Sequence, residues 1–232
     1  IPENGRIKEM NLYSLKIQAY SLMENIVGKE NLKKLAINYY TDVAQDKGIH
    51  FFHIPKSAGT SICDLLYGRR IGHYSAQDIL NVKGPRYFNK VETFTVVRHP
   101  LDRLMSAYNF ARFGGNMGAV KDQSFYMNDD RFRSFDSFVN EWLMEQDIMS
   151  SQIIFRPQFH FICNEDKNLI PRHVFKIESP DKIENYLMNR LNKPVQLRNM
   201  NKSTRSGIKE VSNSTTSVVR ELYRSDYRLF GY

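Results

Sequence analysis

Apolar positions recur at two different spacings along the chain. From Leu12 to Ile26 they return every three or four residues, which is the period of a helix with one buried face, and a second helix is predicted over Lys29–Val43. The run Ile49–Ile54 is instead β-branched and aromatic, and it has the length of a strand. A turn that contains Gly59 follows it, and Thr60–Tyr67 is predicted to be helical.

The same order of strand, turn and helix returns twice. Thr93–Val97 is predicted to be a buried strand, and Pro100 begins a helix that extends to about Arg112. His173–Ile177 is a third predicted strand, and Pro180–Leu191 is the helix that follows it. Because strands alternate with helices, the pattern predicts an α/β fold with a central parallel sheet and helices on both faces.

Three further segments complete the pattern. Gly114–Arg133 is predicted to be a long loop, which in a compact domain suggests a functional or mobile segment. Ser134 is placed to cap a helix that ends near Gln146. A last helix is expected over Ser214–Arg224, with Tyr227–Tyr232 as an aromatic tail.

The composition fits one globular unit of ordinary size. The chain has 232 residues, of which 41% are hydrophobic, and its 12 glycines and 8 prolines are too few for a fibrous or low-complexity chain. We expect an N-terminal helical extension over residues 1–48 and a single domain over residues 49–232. No stretch of about 18 apolar residues occurs, so no membrane span is predicted.

Charge and cysteine content narrow the function classes. The net charge of +8 favours an anionic partner: nucleic acid, an anionic glycan, a membrane surface or a phosphorylated cofactor. Cys63 and Cys163 are too few for a disulfide scaffold or a zinc site, and they favour a reducing, cytoplasmic location. Because the chain begins at Ile1 rather than Met, an anchor or targeting segment upstream of it is compatible with the sequence.

The turn after the first strand carries the strongest chemical signal. It places a lysine, a glycine and three hydroxyl groups at the start of a predicted helix, where unpaired N–H groups and the helix dipole favour a phosphate. The lysine precedes the glycine, unlike in the nucleotide-triphosphatase loop, where it directly follows one. The alternative is an ordinary turn with a solvated lysine. The residues of the turn are Lys56, Ser57, Ala58, Gly59, Thr60 and Ser61.

A second candidate lies at the end of the second strand. Arg98 is at the sheet edge where open α/β sheets bind ligands, and its guanidinium can hold a phosphate through two parallel hydrogen bonds. On the following helix Ser106 lies about 140° around the axis from the apolar Leu101, so its hydroxyl is free to face a ligand. The alternative is an ion pair between Arg98 and Asp102.

Together these stretches resemble the sulfotransferases that use 3′-phosphoadenosine 5′-phosphosulfate (PAPS). The nearest branch is that of the carbohydrate O-sulfotransferases, which includes the heparan sulfate 2-O-sulfotransferases and bacterial members; Gly72–Ser75 and Tyr108–Gly114 add to this resemblance. It implies a P-loop-like nucleotide-binding fold, with Lys56–Ser61 at the 5′-phosphosulfate and Arg98 with Ser106 at the 3′-phosphate. It also implies a loop over the 3′-phosphate that contains Lys202, Ser203 and Thr204.

The resemblance implies a reaction as well. Lys56 would neutralise the departing 5′-phosphate, and His73, which matches the family's catalytic base, would accept the proton of a carbohydrate hydroxyl. No metal and no nucleic-acid partner are expected. The alternatives are a small hydroxylated metabolite as acceptor, or a non-catalytic module that binds nucleotides or glycans, with His73 a solvated loop residue. A kinase is disfavoured, because the Walker-type order and an obvious carboxylate pair for magnesium are missing.

Overall fold

A computed structural model describes residues 22–113, 123–197 and 210–232 of the chain. Its centre is a three-stranded parallel sheet in the order β1-β2-β3. The strands are β1 (Ile49–Phe52), β2 (Glu92–Val97) and β3 (His173–Lys176). The α/β class with a parallel sheet flanked by helices, predicted from the sequence, is confirmed.

Helices connect the strands and cover the sheet, and residues 22–27 are helical as well. Their ends agree with the sequence pattern to within a few residues for most of the predicted elements, and the helix Pro180–Leu191 agrees at both ends. The helices are α1 (Lys29–Asp46), α2 (Gly59–Tyr67), α3 (Ala76–Lys83), α4 (Pro100–Phe113), α5 (Gln123–Asn128), α6 (Phe135–Ser137), α7 (Phe159–Ile162), α8 (Pro180–Leu191), α9 (Asn213–Leu222) and α10 (Arg224–Phe230).

The helix predicted after Ser134 is present, but it changes its winding. The Ser134 hydroxyl accepts a hydrogen bond of 3.0 Å from the N–H of Ser137, as a helix cap does. Beyond α6 the chain continues as a π-helix over Phe138–Trp142 and a 3₁₀ helix over Leu143–Glu145. Two further 3₁₀ helices cover Pro85–Asn89 and Asp130–Phe132.

Two segments are more regular than the sequence pattern predicts. The expectation of a loop over Gly114–Arg133 is wrong for its second half, where α5 and a 3₁₀ helix form because Tyr126 and Phe132 are buried against Trp142. Residues 114–122 lie outside the described ranges. The aromatic tail forms α10, since Tyr227 and Phe230 are buried too. In both places the burial of apolar side chains offsets the conformational entropy that is lost when the segment becomes ordered.

The sheet lies between two apolar clusters. Phe51 and Phe94 face the side covered by α1, α2 and α8, whereas Phe52 and Val97 face the side covered by α3 and α7. Successive strand residues point to opposite faces, so neighbouring residues of β1 enter different clusters. A third, largely aromatic cluster packs against α4 and positions that helix beside the sheet edge.

Helix α1 packs closely on the sheet. The Tyr40 hydroxyl donates a hydrogen bond to the backbone oxygen of Phe51, and Ile37, Tyr40 and Ala44 are buried. The division between an extension over residues 1–48 and a domain over residues 49–232 stays a prediction. Within the described ranges, the helices are too short or too polar to cross a membrane.

Candidate active site

The loop between β1 and α2 has an unusual backbone. Lys56 and Ala58 have φ angles of 67° and 58°, in the left-handed region that costs most non-glycine residues about 1–3 kcal/mol each and that clusters at ligand sites. Gly59 begins α2, and a Cβ atom on it would lie 2.0 Å from Cδ2 of His53. The loop is therefore pressed against the His53 ring, and only glycine fits there without movement.

The Lys56 side chain is partly buried beside a second cation. Its Nζ atom lies 3.8 Å from the centroid of the Phe110 ring on α4. Burial, helped by the neighbouring Arg98, lowers the pKa of Lys56 to about 8. Two cations held close together in a partly buried place repel each other, and a bound anion would relieve that repulsion.

Arg98 directly follows β2, so it lies at the same edge of the sheet as the Lys56 loop. Burial lowers the pKa of its guanidinium, while Asp102 and Glu178 act in the opposite direction. Asp102 is therefore a neighbour of Arg98, as the alternative interpretation of the sequence requires. On α4, Ser106 is half-buried between the buried Met105 and Ala107.

The orientation of His73 is fixed by its backbone contact. Its Nδ1 atom lies 2.9 Å from the backbone oxygen of His53. Because a carbonyl oxygen only accepts hydrogen bonds, Nδ1 carries the proton of the neutral ring, which leaves a lone pair on Nε2. Burial lowers the pKa of His73; the bond to His53 raises it, and Lys56 lowers it further. The ring is therefore neutral at pH 7, in the form that can accept a proton.

His53 lies directly behind His73. The two ring centroids are 4.0 Å apart, and Nδ1 of His53 lies 3.3 Å from the backbone oxygen of Ile71. Burial, with His73 and Arg70 nearby, holds the pKa of His53 well below its usual value. His53 is thus a neutral packing partner that supports the ring of His73.

Cys63 and His50 are buried in packed surroundings away from solvent. Burial raises the pKa of the free Cys63 thiol to about 12, so this cysteine is not a nucleophile. Nδ1 of His50 lies 2.8 Å from the Tyr87 hydroxyl, within the cluster opposite to that of Phe51. The residues that the structure describes contain no group of three metal-ligating side chains.

The structure brings three of the predicted site residues near one another. Lys56, Arg98 and His73 are close enough for Arg98 to affect the pKa of Lys56, and for Lys56 to affect that of His73. Thr60 is exposed and Ser61 half-buried in the first turn of α2. The segment with Lys202, Ser203 and Thr204 lies outside the described residues.

Two buried polar residues support this region, and one of them, Gln158, carried no signal in the sequence. Gln158 is fully buried and hydrogen-bonded to the backbone of Arg98, and Asp226 is fully buried behind it. Ser57, a predicted phosphate ligand, directs its hydroxyl towards Oε1 of Gln158 at 3.5 Å.

A parallel sheet with a cationic loop after β1 and an arginine after β2 is typical of α/β enzymes that bind phosphorylated ligands at the carboxyl edge of the sheet. The chain belongs to the sulfotransferase family, whose family model matches residues 39–232. It is therefore a sulfotransferase, an enzyme that transfers a sulfuryl group to a hydroxyl-bearing acceptor. Comparisons with curated proteins and with solved structures gave no match.

Proposed function

We propose that the enzyme transfers the sulfuryl group of PAPS to a hydroxyl group of a carbohydrate. The observation that carries the proposal is the proximity of Lys56, Arg98 and His73 at the carboxyl edge of the sheet, since Arg98 lowers the pKa of Lys56 and Lys56 lowers that of His73. Two cations fit a ligand with phosphate groups at two positions, and a neutral imidazole fits a hydroxyl that must lose its proton.

The donor fits the charges of this edge. PAPS supplies a sulfuryl group attached to a 5′-phosphate, which is the leaving group, and it carries a second phosphate at the 3′ position. We assign the 5′ end to Lys56 and the start of α2, and the 3′-phosphate to Arg98 and Ser106. The full donor site consists of Lys56, Ser57, Ala58, Gly59, Thr60, Ser61, Arg98, Ser106, Lys202, Ser203 and Thr204.

The residues of the chain then have distinct tasks. Nε2 of His73 accepts the proton of the acceptor hydroxyl as that oxygen bonds to sulfur, and its Nδ1–H bond to His53 keeps Nε2 in the unprotonated tautomer. Lys56, protonated, stabilises the negative charge that develops on the departing phosphate oxygen. Because lysine, arginine and helix-end amides supply positive charge, we expect activity to persist in a metal chelator.

The acceptor side also carries positive charge. Arg70 is exposed, and it lies near enough to His53 to lower the pKa of that residue, so it adds a cation near the ring that packs against the candidate base. Arg131, by contrast, is paired with Asp129 at 2.7 Å and is already neutralised. An exposed cation on this side of the site favours an acceptor with anionic groups, such as a sulfated or carboxylated sugar.

A different acceptor makes a different prediction. A small hydroxylated metabolite would be sulfated without any dependence on Arg70, whereas an anionic glycan would lose affinity in Arg70→Ala. Both acceptors use the same donor site, so acceptor assays separate them. The non-catalytic module is set aside, because the chain belongs to the sulfotransferase family.

A binding experiment tests the donor site first. We expect 3′-phosphoadenosine 5′-phosphate to raise the melting temperature of the wild-type protein, and ATP and a heparin fragment to raise it less. Lys56→Ala should lose most of this shift, because a charge-assisted hydrogen bond contributes about 1.5–3 kcal/mol. Arg224→Ala removes an exposed arginine at the start of α10 and is the matched control. Equal shifts with ATP and with 3′-phosphoadenosine 5′-phosphate would contradict the donor assignment.

A further inference from the structure

Both polar atoms of the Gln158 side-chain amide are hydrogen-bonded to the backbone of Arg98. Oε1 accepts a hydrogen bond of 2.9 Å from the N–H of Arg98, and Nε2 donates one of 2.8 Å to the Arg98 carbonyl oxygen. The Gln158 side chain is fully buried. A buried amide with both of its polar ends paired to one residue fixes the backbone of that residue, because any rotation would leave buried polar groups unpaired.

The same amide also contacts the loop after β1. The Ser57 hydroxyl points to Oε1 of Gln158 at 3.5 Å, a long hydrogen bond, and Ser57 directly follows Lys56. One side chain thus contacts both parts of the candidate donor site, the loop with Lys56 and the strand end with Arg98. These two parts come from different strand-helix units, so their spacing depends on contacts between them.

The backbone of Gln158 is in turn hydrogen-bonded to a buried carboxylate. Oδ2 of Asp226 accepts a hydrogen bond of 2.7 Å from the Gln158 N–H, and Oδ1 accepts one of 2.9 Å from the Phe159 N–H. The buried Arg103 lies near Asp226 and donates to the backbone oxygens of Ile154 and Arg156. The segment that leads into α7 is therefore anchored at several points before it reaches Arg98.

We propose that Gln158 is a positioning residue for the donor: it sets the distance between the phosphate-binding loop at Lys56 and the phosphate-binding end of β2 at Arg98. This inference rests on the proposed function, because it concerns the same donor site. Gln158 acts through Arg98 and Ser57, since its amide is already occupied by them. Asp226 in turn holds the backbone of Gln158 in place.

Calorimetric titration of 3′-phosphoadenosine 5′-phosphate tests the proposal. Gln158→Met keeps the length of the side chain and removes the amide, and we expect Kd to rise about 10-fold or more as two buried hydrogen bonds are lost. Tyr87→Phe is the matched control, because it removes a buried hydroxyl bonded to His50 and to the Thr41 carbonyl oxygen, in the cluster behind the sheet. It should lower the melting temperature and leave Kd unchanged.

A double variant separates positioning from simple loss of stability. Because Gln158 acts through Arg98 as well as through Ser57, Gln158→Met should raise Kd clearly less in the Arg98→Ala background than in the wild type, so the two effects are not additive. Additive effects would overturn the proposal. So would a Gln158→Met variant that loses stability and binds as tightly as the wild type.

A milder variant covers the case in which Gln158→Met does not fold. Asp226→Asn keeps the shape of the carboxylate but weakens its hydrogen bond to the Gln158 backbone, and we expect a smaller rise in Kd that is likewise reduced in the Arg98→Ala background. An unchanged Kd in a folded Asp226→Asn protein would contradict the inference. Failure of the wild-type protein to bind the nucleotide would instead overturn the proposed function, and this inference with it.

Discussion

The imidazole rings of His53 and His73 lie 4.0 Å apart, and Nδ1 of His73 donates to the backbone oxygen of His53 at 2.9 Å. His53 in turn lies against Gly59, the first residue of α2. The start of α2 and the candidate base are therefore linked through one buried ring. A change in the loop between β1 and α2 should therefore alter the position of the His73 ring.

Substitution of Gly59 by alanine tests this link. The new Cβ would lie 2.0 Å from Cδ2 of His53, so the ring must move and disturb the ring of His73. Overpacking of this kind costs about 1–3 kcal/mol, and we expect a lower free energy of unfolding in urea together with a lower kcat. Gly84→Ala is the control: Gly84 has φ 71° and no described atom within 4 Å of the new Cβ, so only stability should fall. A Gly59→Ala enzyme with wild-type kcat would contradict the link.

The pH dependence of kcat/KM should be bell-shaped. In the proposed mechanism His73 works unprotonated, and burial lowers its pKa, so activity should fall on the acid side with a midpoint below the ordinary histidine value of about 6.5. Lys56 is proposed to work protonated, and its pKa is lowered to about 8, so activity should also fall as the pH rises through about 8.

Two variants identify the groups that cause the acidic and the basic limb of this pH profile. In Lys56→Arg the basic limb should move to higher pH, because arginine keeps its charge, and in His73→Ala the acidic limb should disappear. Initial-rate measurements from pH 5 to about pH 10 decide the matter. A basic limb that stays near pH 8 in Lys56→Arg would assign it to another group.

The proposed 3′-phosphate site makes a prediction about ligand choice. Arg98→Ala and Ser106→Ala should weaken the binding of 3′-phosphoadenosine 5′-phosphate more than that of adenosine 5′-phosphosulfate, because only the former carries a 3′-phosphate. For the arginine, a charge-assisted hydrogen bond of about 1.5–3 kcal/mol corresponds to roughly 10- to 150-fold in Kd. Calorimetry measures both ligands. Equal losses for the two nucleotides would remove the assigned 3′ site.

His50 should make stability depend on pH. Its pKa is lowered to about 3 by burial, so between about pH 3 and pH 6.5 the unfolded chain binds a proton that the folded protein excludes. The free energy of unfolding should therefore fall as the pH drops below about 6.5, by at most about 1.4 kcal/mol per pH unit for this group. Urea unfolding at several pH values measures the slope.

Two variants identify the group responsible. His50→Phe should show a smaller slope than the wild type, because the titrating ring is gone. Tyr87→Phe keeps the imidazole and removes only its hydroxyl partner, so it should retain the slope even if its overall stability is lower. Identical slopes in wild type and His50→Phe would rule out the buried ring as a source of the pH dependence.

Local signals were enough to predict the elements that present the site. Helix α8 was predicted at both ends, because Pro180 opens it and its apolar residues repeat with helical spacing. The turn with Lys56 and the end of β2 at Arg98 were recognisable because each adjoins a run of apolar residues that marks its strand.

The groups that support the site were not predictable in this way. Gln158 is 60 residues from Arg98 in sequence and 68 from Asp226, and all these contacts depend on the tertiary fold. Glutamine, aspartate and arginine are usually exposed, so the burial of Gln158, Asp226 and Arg103 runs against composition-based expectation. Such networks become visible only once the strands and helices are assembled.

The most direct test of the account is sulfuryl transfer itself. Wild-type enzyme and His73→Ala are incubated with PAPS carrying labelled sulfate and a panel of glycans and hydroxylated metabolites, with the affinity for 3′-phosphoadenosine 5′-phosphate measured in parallel. We predict that the wild type labels a carbohydrate, and that His73→Ala lowers kcat by about 10²-fold or more while its Kd for the nucleotide is nearly unchanged. A wild-type protein that binds the nucleotide but labels no acceptor, or a His73→Ala variant that retains most of its kcat, would contradict the account.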